Sequence, residues 1–243
     1  MDLKIIGAGD AFGSEGNLNT CFHLQHEHLQ ILIDCGATSL VGLKKNQIEP
    51  AEIDYILISH LHGDHFGGLP FFLLDLLRKN RKKTLTIIGP KGIEENTLAL
   101  LELLYPGLQA YLDLSLIIFK TYQAHEELET EFFKLQAFPV VHSEESLPHG
   151  LKLFIDDKII AFSGDTEWTD NLIELSKAAD LFICECNFFE KRGKGHLNYK
   201  TILQHQEALE CKHILLSHLG EEALNHLDLM TIPVAKDGME ITI

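Results

Sequence analysis

Histidine and aspartate are crowded together in residues 60–65, whose sequence is HLHGDH. The segment follows a hydrophobic run at 55–58 that is typical of a buried strand. In an extended chain alternate side chains point the same way, so the first two histidines and the aspartate would share a direction and the third histidine would point elsewhere. The segment could therefore supply ligands to two adjacent metal ions. Imidazole and carboxylate favour zinc, manganese or iron over calcium or magnesium.

A solvated, histidine-rich loop is the alternative interpretation of this segment. It is disfavoured because the cluster ends a buried strand and precedes two glycines, Gly67 and Gly68, which permit close backbone approach. Three further polar residues, His142, Asp165 and His218, also come at the ends of apolar runs. Strand ends are the usual place for site residues on an α/β scaffold, so we expect these side chains to join the cluster.

Composition indicates a globular protein with a hydrophobic core, and we expect one domain spanning residues 1–243. The chain is 45% hydrophobic and 23% charged. It has no apolar run near the roughly 20 residues of a membrane helix, and residues 2–7 open directly into a strand-like segment without a secretory pattern. The five cysteines lack zinc-ribbon spacing and are expected to be reduced core residues. These features predict a cytoplasmic protein that does not enter a membrane.

The net charge of −16 excludes a broad nucleic-acid-binding surface, which needs a basic footprint. It does not exclude a small anionic substrate held by metal ions. One local basic patch, Lys191, Arg192 and Lys194, could meet a phosphate, although a solvated basic turn explains it equally well.

Hydrophobic patterning predicts alternating strands and helices in both halves of the chain. The predicted strands are 2–7, 20–34 (a hairpin turning near 26–28), 54–59, 84–88, 115–121, 131–141, 150–156, 158–163, 181–184 and 213–216. The predicted helices are 38–46, a helix with Pro70 in its first turn, 91–105, 169–179 with Thr169 or Asp170 as N-cap, and 198–210. This order favours two mixed sheets flanked by helices, a four-layer αββα sandwich.

The ordered pattern of H-x-H-x-D-H followed by a histidine, an aspartate and a histidine resembles the metallo-β-lactamase superfamily over essentially the whole chain. The resemblance implies the αββα metallo-β-lactamase fold and a dinuclear site with two divalent ions, zinc first, with manganese or iron as alternatives. It implies that one ion is held by His60, His62 and His142, the second by Asp64, His65 and His218, and that Asp165 bridges them. Two such ions can share a hydroxide that attacks the substrate, and Asp64 could steer its proton.

Three later segments resemble the ribonuclease Z-like branch of that superfamily. Residues 163–166 read SGDT, residues 179–187 are similar to the branch segment that ends in a glutamate, and residues 195–198 (GHLN) are similar to its HST loop. The resemblance implies that Glu185 pairs with His196, and that His196 protonates the leaving oxygen of a phosphodiester. A carboxylate beside an imidazole keeps the imidazolium protonated near neutral pH, which suits that role.

The chain departs from the usual bacterial ribonuclease Z, which carries a long tRNA-gripping arm between the third histidine and the SGDT aspartate. Here Asp165 follows His142 by only 23 positions, so no such arm fits. We therefore expect a metal-dependent phosphodiesterase of this branch that acts on a small phosphodiester or short nucleic acid, such as a cyclic nucleotide. By analogy the branch also allows a homodimer.

Two other functions are compatible with the same residues. A lactone, thioester or lactam hydrolase would use the hydroxide but needs no separate leaving-group acid, so substitution of His196 would barely change its activity. A non-catalytic scaffold would bind metal tightly and turn over nothing.

Overall fold

The computed structural model describes all 243 residues. The strands are β1 Asp2–Gly7, β2 Cys21–His26, β3 Leu29–Ile33, β4 Tyr55–Leu57, β5 Leu85–Gly89, β6 Ile117–Thr121, β7 Glu127–Glu129, β8 Lys134–Pro139, β9 His149–Ile155, β10 Lys158–Phe162, β11 Leu181–Glu185, β12 Ile214–Ser217 and β13 Glu240–Thr242. The helices are α1 Ser39–Lys45, α2 Gly63–Phe66, α3 Leu69–Arg78, α4 Ile93–Leu104, α5 Asn171–Ser176, α6 Tyr199–His205 and α7 Glu221–Leu224. None of these helices combines the length and apolar character needed to cross a lipid bilayer.

The strands form two mixed sheets. The first has seven strands in the order β13-β1-β2-β3-β4-β5-β6, and the second has six in the order β12-β11-β10-β9-β8-β7. In the first sheet β3, β4, β5 and β6 are parallel neighbours, and in the second β10, β11 and β12 are. Such strands are covered on both faces, which explains the continuous apolar runs in β4 and β11.

Three apolar clusters define four layers. The largest lies between the sheets and joins residues of both, for example Phe22 and Phe162, whose rings meet edge-on at 5.5 Å. A second cluster packs α5, α6 and α7 onto the second sheet, and a third packs α1, α3 and α4 onto the first. The predicted αββα sandwich with two mixed sheets is confirmed.

Two predicted helices are too long. α5 ends at Ser176 rather than at 179, since Ala178 has the left-handed φ of 59° and Lys152 donates hydrogen bonds to the carbonyls of Glu174 and Lys177. Asp170 precedes α5 but makes no side-chain capping bond. α6 ends at His205 and continues only as a single tight 3₁₀ turn.

Two strands and two helices were not predicted from the sequence. β7 pairs with β8, and β13 brings the end of the chain back beside β1, where Asp2 lies opposite Thr242. Each has only three residues, too few for an alternation of apolar and polar side chains to be recognised. α2 and α7 have four residues each, which is likewise too few for a helical periodicity to be recognised.

Candidate metal centre and active site

The predicted site residues converge at one edge of the sandwich, where strands of both sheets end. His60 comes shortly after β4, His142 after β8, Asp165 after β10 and His218 directly after β12, and Glu185 is the last residue of β11. Three sets of these side chains, with their neighbours, bring ligand atoms within 4.8 Å of one another. The sets are His60, His62 and His142; Asp64, His65, Asp165 and His218; and His142, Asp165 and His196.

The expectation that Asp64 shares the direction of His60 and His62 is wrong. His62 is extended (φ −95°, ψ 151°), but α2 begins immediately after it, so Asp64 and His65 lie on one helical turn. That turn directs both side chains towards Asp165 and His218, and the ring of His65 also lies 4.1 Å from that of His60. The segment still supplies two neighbouring groups, by a change from extended to helical backbone rather than by strand alternation.

Asp165 lies at the centre of the two groups. Its Oδ2 is 3.2 Å from Nε2 of both His65 and His218, 3.8 Å from Nε2 of His60 and 3.9 Å from Nε2 of His142. Only 2% of this side chain is exposed, so its charge faces imidazoles rather than water. Asp165 is therefore the carboxylate that lies within 4 Å of histidines of both groups.

Hydrogen bonds fix the orientation of four imidazoles through Nδ1. The Nδ1 atoms contact Ser59 Oγ (His60, 3.0 Å), Asp34 Oδ2 (His65, 2.7 Å), the Gly195 carbonyl (His142, 2.7 Å) and Thr20 Oγ1 (His218, 3.1 Å). An imidazole that donates through Nδ1 presents the lone pair of Nε2, which is the form that binds a metal. All four Nε2 atoms therefore face the site as ligand atoms.

The donor set fits divalent cations. Seven buried side-chain polar atoms in the chain lack a hydrogen-bond partner, and four of them belong to this cluster: His60 Nε2, Asp64 Oδ2, His65 Nε2 and Asp165 Oδ1. Buried polar atoms are normally satisfied, so this concentration indicates a ligand. His62 Nδ1 lies 3.0 Å from His142 Nε2, close to the roughly 3.3 Å between two nitrogens bound to one tetrahedral zinc ion.

The electrostatics of the cluster are those of a cation-binding site. Burial raises the pKa of Asp165, but the surrounding histidines outweigh this and hold its pKa well below the usual range. Burial likewise lowers the pKa of His65, but Asp165, Asp64 and Asp34 together raise it well above the usual value. The carboxylates thus stay ionised and require positive charge beside them.

Glu185 and His196 form a separate pair at the rim of the site. His196 donates from Nδ1 to Glu185 Oε1 at 3.0 Å, and the carboxylate also accepts from the backbone N–H groups of Thr166 and Asn187. Burial lowers the pKa of His196, but the hydrogen bond and charge of Glu185 outweigh it and raise the pKa to about 9. The imidazole is therefore a proton donor at neutral pH, with 22% of its side chain exposed.

The residues that support these side chains were not predicted from the sequence. Asp34, Ser59 and Thr20 hold histidines of the cluster, and Gly195 approaches His142 so closely that a Cβ would lie 2.6 Å from its Nδ1. Gly195 carried a usable signal, because it stands directly before His196 in a motif that was recognised. The basic residues 191, 192 and 194 are exposed, in the segment that directly precedes Gly195.

Comparison with known proteins places the chain in a family. A family model described as "Anti-Pycsar protein Apyc1" matches residues 1–231. A protein named ribonuclease Z from Bacillus velezensis is 25% identical over 320 aligned positions, which cover 100% of this chain and 99% of the relative. Another ribonuclease Z, from Ignicoccus hospitalis, is 25% identical and covers 89% of this chain and 87% of its own.

Solved structures share the fold. Human tRNase Z, short form, has a TM-score of 0.81 at 23% identity and covers 100% of this chain and 99% of its own. The metallo-β-lactamase fold protein YhfI from Bacillus subtilis has a TM-score of 0.79 at 19% identity and covers 99% of each chain. The chain thus belongs to the anti-Pycsar protein Apyc1 family and is a ribonuclease Z-like metallo-hydrolase of the metallo-β-lactamase fold.

Proposed function

We propose that this protein hydrolyses small phosphodiesters, such as a cyclic nucleotide or a short oligonucleotide, with two divalent cations and with His196 as the leaving-group acid. The observation that carries the proposal is the Glu185–His196 pair beside the histidine and aspartate cluster. Nδ1 of His196 is engaged by Glu185, and its ring stacks at 5.6 Å on the ring of His218. The imidazole therefore projects its other nitrogen towards the cluster.

The proposed ligands are those that the family resemblance implies. His60, His62 and His142 would hold one cation, Asp64, His65 and His218 the other, and Asp165 both. When bound, two such ions supply an activated water and neutralise charge on the phosphate. Zinc is our first choice because imidazole dominates the donor set, and manganese or iron remain alternatives.

A phosphodiester substrate is favoured because the site offers two different functions side by side. Its transition state needs positive charge around the phosphoryl oxygens and a proton for the departing alkoxide. His196 can give up that proton and is held in the correct tautomer by Glu185. Lactone and thioester hydrolysis are commonly limited by attack of hydroxide on the carbonyl, so they gain less from this carboxylate–imidazole pair than a phosphodiester does.

A small substrate is favoured because the chain lacks room for an RNA-gripping element. The residues between His142 and Asp165 are used by a 3₁₀ turn, β9 and β10, which leaves no arm. The Bacillus velezensis relative needs 320 aligned positions to cover this 243-residue chain, so it carries additional segments.

Three cations of the basic run at 78–83 are engaged within the protein. Lys79 pairs with Glu49 and Asp75, Lys83 contacts Asp54 at 2.7 Å, and the guanidinium of Arg81 donates to the backbone carbonyls of residues 50, 51, 53, 83 and 84. The charges of these three side chains are therefore paired or hydrogen-bonded within the protein. They stabilise the segment 49–54 that leads into β4 and are not free to attract phosphates. The five cysteines are all free, which supports the proposed cytoplasmic location.

The test is hydrolysis of bis(p-nitrophenyl) phosphate by metal-loaded protein, followed by cyclic nucleotides, dinucleotides and a lactone, thioester and lactam panel. His62→Ala removes a proposed ligand, and His28→Ala, an exposed hairpin histidine, is its matched control. We expect turnover of phosphodiesters that is lost in His62→Ala and retained in His28→Ala. Turnover confined to lactones, thioesters or lactams would contradict the proposal, as would two bound metals with no turnover of any ester.

A further inference from the structure

Glu167 lies where three parts of the site meet. It follows Asp165 by two residues in the segment after β10, and its side chain is half-buried. The carboxylate faces the loop that leads to His196, where its Oε1 accepts the backbone N–H of Gly195 at 2.8 Å. This one bond joins the segment that carries Asp165 to the segment that carries His196.

Three hydrogen bonds connect Glu167 and His142 in a closed ring. The backbone N–H of Glu167 donates to the carbonyl of Val141 at 2.8 Å, and Val141 directly precedes His142. Nδ1 of His142 donates to the Gly195 carbonyl at 2.7 Å, and the Gly195 N–H donates to the Glu167 side chain. Only the last of these bonds depends on the side chain of Glu167, so a substitution there opens the ring without changing its backbone members.

The loop before Gly195 has no other backbone anchor. Residues 190–194 lie outside every helix and strand, and their backbone groups make no hydrogen bond to backbone elsewhere in the chain. Gly195 itself is buried and has the left-handed φ of 80°. Its N–H bond to Glu167 therefore sets the position of the chain as it reaches His196.

The imidazole of His196 is consequently held at two points. Glu185 binds its Nδ1 at 3.0 Å, and the bond between Glu167 and Gly195 fixes the backbone that precedes it. Its ring centroid lies 4.8 Å from that of His142. A ring held at one point can pivot about that point, and a displacement of about 1 Å in a catalytic group can cost 100-fold in rate.

We propose that Glu167 is a positioning residue that holds His142 and His196 in one fixed geometry. It acts through the backbone of Gly195 and touches neither the substrate nor an ion. Its effect on His196 rests on the proposed phosphodiesterase function, whereas its hold on His142 does not depend on the substrate. The ion-binding imidazole and the leaving-group acid thereby stay aligned on the same phosphate.

Three substitutions separate the hydrogen bond of Glu167 from its charge. Glu167→Gln keeps the length and an acceptor oxygen but loses the charge, Glu167→Asp keeps the charge but is one methylene shorter, and Glu167→Ala loses both. Glu190→Ala removes an exposed carboxylate from the neighbouring loop and is the matched control. We expect the Asp and Ala variants to behave alike and the Gln variant to resemble the parent protein.

The first measurement is Zn²⁺ affinity in the absence of substrate, by competition with a chromogenic chelator, in variants whose fold is checked by circular dichroism. We expect Glu167→Ala and Glu167→Asp to weaken one bound ion by about 10-fold, the lower end of the range for lost support of a metal-binding histidine. Parental affinity in both variants would overturn the hold on His142. A loss in Glu167→Gln without a loss in Glu167→Asp would also overturn it, because the charge and not the bond would then be responsible.

The second measurement compares turnover at saturating Zn²⁺ of a cyclic nucleotide and of bis(p-nitrophenyl) phosphate, whose leaving group is a weak base. We expect Glu167→Ala to lower kcat for the cyclic nucleotide by up to about 100-fold, with a much smaller change in KM, and to lower kcat for the other substrate less. In a His196→Ala background Glu167→Ala should not lower the ratio of the two kcat values further, because the acid is already absent.

An additive loss in that double variant would overturn the positioning of His196. Absence of all phosphodiester turnover in the parent protein would instead refute the proposed function, and the Zn²⁺ affinities would still decide whether Glu167 holds His142.

Discussion

Asp34 and Glu185 are two fully buried carboxylates, one at the end of a strand in each sheet, and each accepts a hydrogen bond from a histidine. Each holds a histidine by Nδ1, His65 at 2.7 Å and His196 at 3.0 Å, and each accepts further backbone N–H donors. The held imidazoles differ in what their other nitrogen meets. Nε2 of His65 lies 3.2 Å from both Asp64 and Asp165 in a side chain with no exposed surface, whereas His196 keeps 22% exposure.

The difference shows how one carboxylate–imidazole device can serve two purposes. An imidazole enclosed with other carboxylates is suited to bind a cation, and an imidazole at the rim is suited to exchange a proton with substrate and water. The device itself does not decide the role. The surroundings of Nε2 decide the role of each imidazole. Substitutions can therefore distinguish the Asp34–His65 pair from the Glu185–His196 pair.

Substitution of His196 should have the largest effect on catalysis. We expect His196→Ala to lower kcat/KM for a cyclic nucleotide by about 10²- to 10⁴-fold, the range for a lost general acid, because the alkoxide must then leave unprotonated. The loss should be much smaller for bis(p-nitrophenyl) phosphate, whose leaving group is a weak base. Steady-state kinetics on both substrates measure this, with the exposed His213→Ala as control. Equal losses on both substrates would mean that His196 is not the acid.

Substitution of Asp34 should instead weaken metal binding. Asp34→Asn keeps the size of the side chain and tolerates the left-handed φ of 58°, but it weakens the hold on His65. Loss of such a supporting carboxylate costs about 10- to 100-fold in metal affinity. Competition with a chromogenic chelator measures it. The matched variant Glu185→Gln should retain parental affinity, and a comparable loss in that variant would abolish the distinction between the two pairs.

The pH profile should report the rim pair. His196 has a pKa raised from 6.5 to about 9 by Glu185, so its acid form persists through neutral pH and is lost above that value. We expect kcat/KM for a cyclic nucleotide to fall about tenfold per pH unit above the break. In Glu185→Gln the break in the pH profile of kcat/KM should move to lower pH. A break that does not move would belong to a group other than His196.

The same pair has a smaller effect on stability. Because the folded-state pKa of His196 is raised, its contribution to the free energy of unfolding is complete below pH 6.5 and disappears as the pH rises through about 9. Urea unfolding should therefore show that the free energy of unfolding falls more between pH 6 and pH 10 in the parent protein than in His196→Gln. A loss of equal size in both would exclude the pair as the cause.

Much of the site could be predicted from the sequence because its signals are local. The HLHGDH segment, and the polar residues that follow apolar runs at 142, 165 and 218, can be recognised from residue type and position alone. The strands that carry them are continuous apolar runs, which burial on both faces demands. Even the fold class follows from the order of strands and helices.

Local pattern failed where the backbone changes its state within a few residues. Alternation along an extended chain placed Asp64 with His62, but α2 begins at Gly63 and turns it towards His65. The three-residue strand β13 was also missed, because its place beside β1 depends on a partner more than two hundred residues away. Short elements are stabilised by neighbours in space, so their own sequence carries little of the information.

The sequence by itself determined the chemical inventory: which imidazoles and carboxylates stand at strand ends, and in what order. Only the tertiary structure decided their orientation and roles. Thr20 meets His218 across 198 residues, and the Gly195 carbonyl meets His142 across 53. Such bonds select the tautomer of each imidazole and the direction of its free nitrogen. They exist because two packed sheets bring remote loops to one edge, an arrangement that no local spacing encodes.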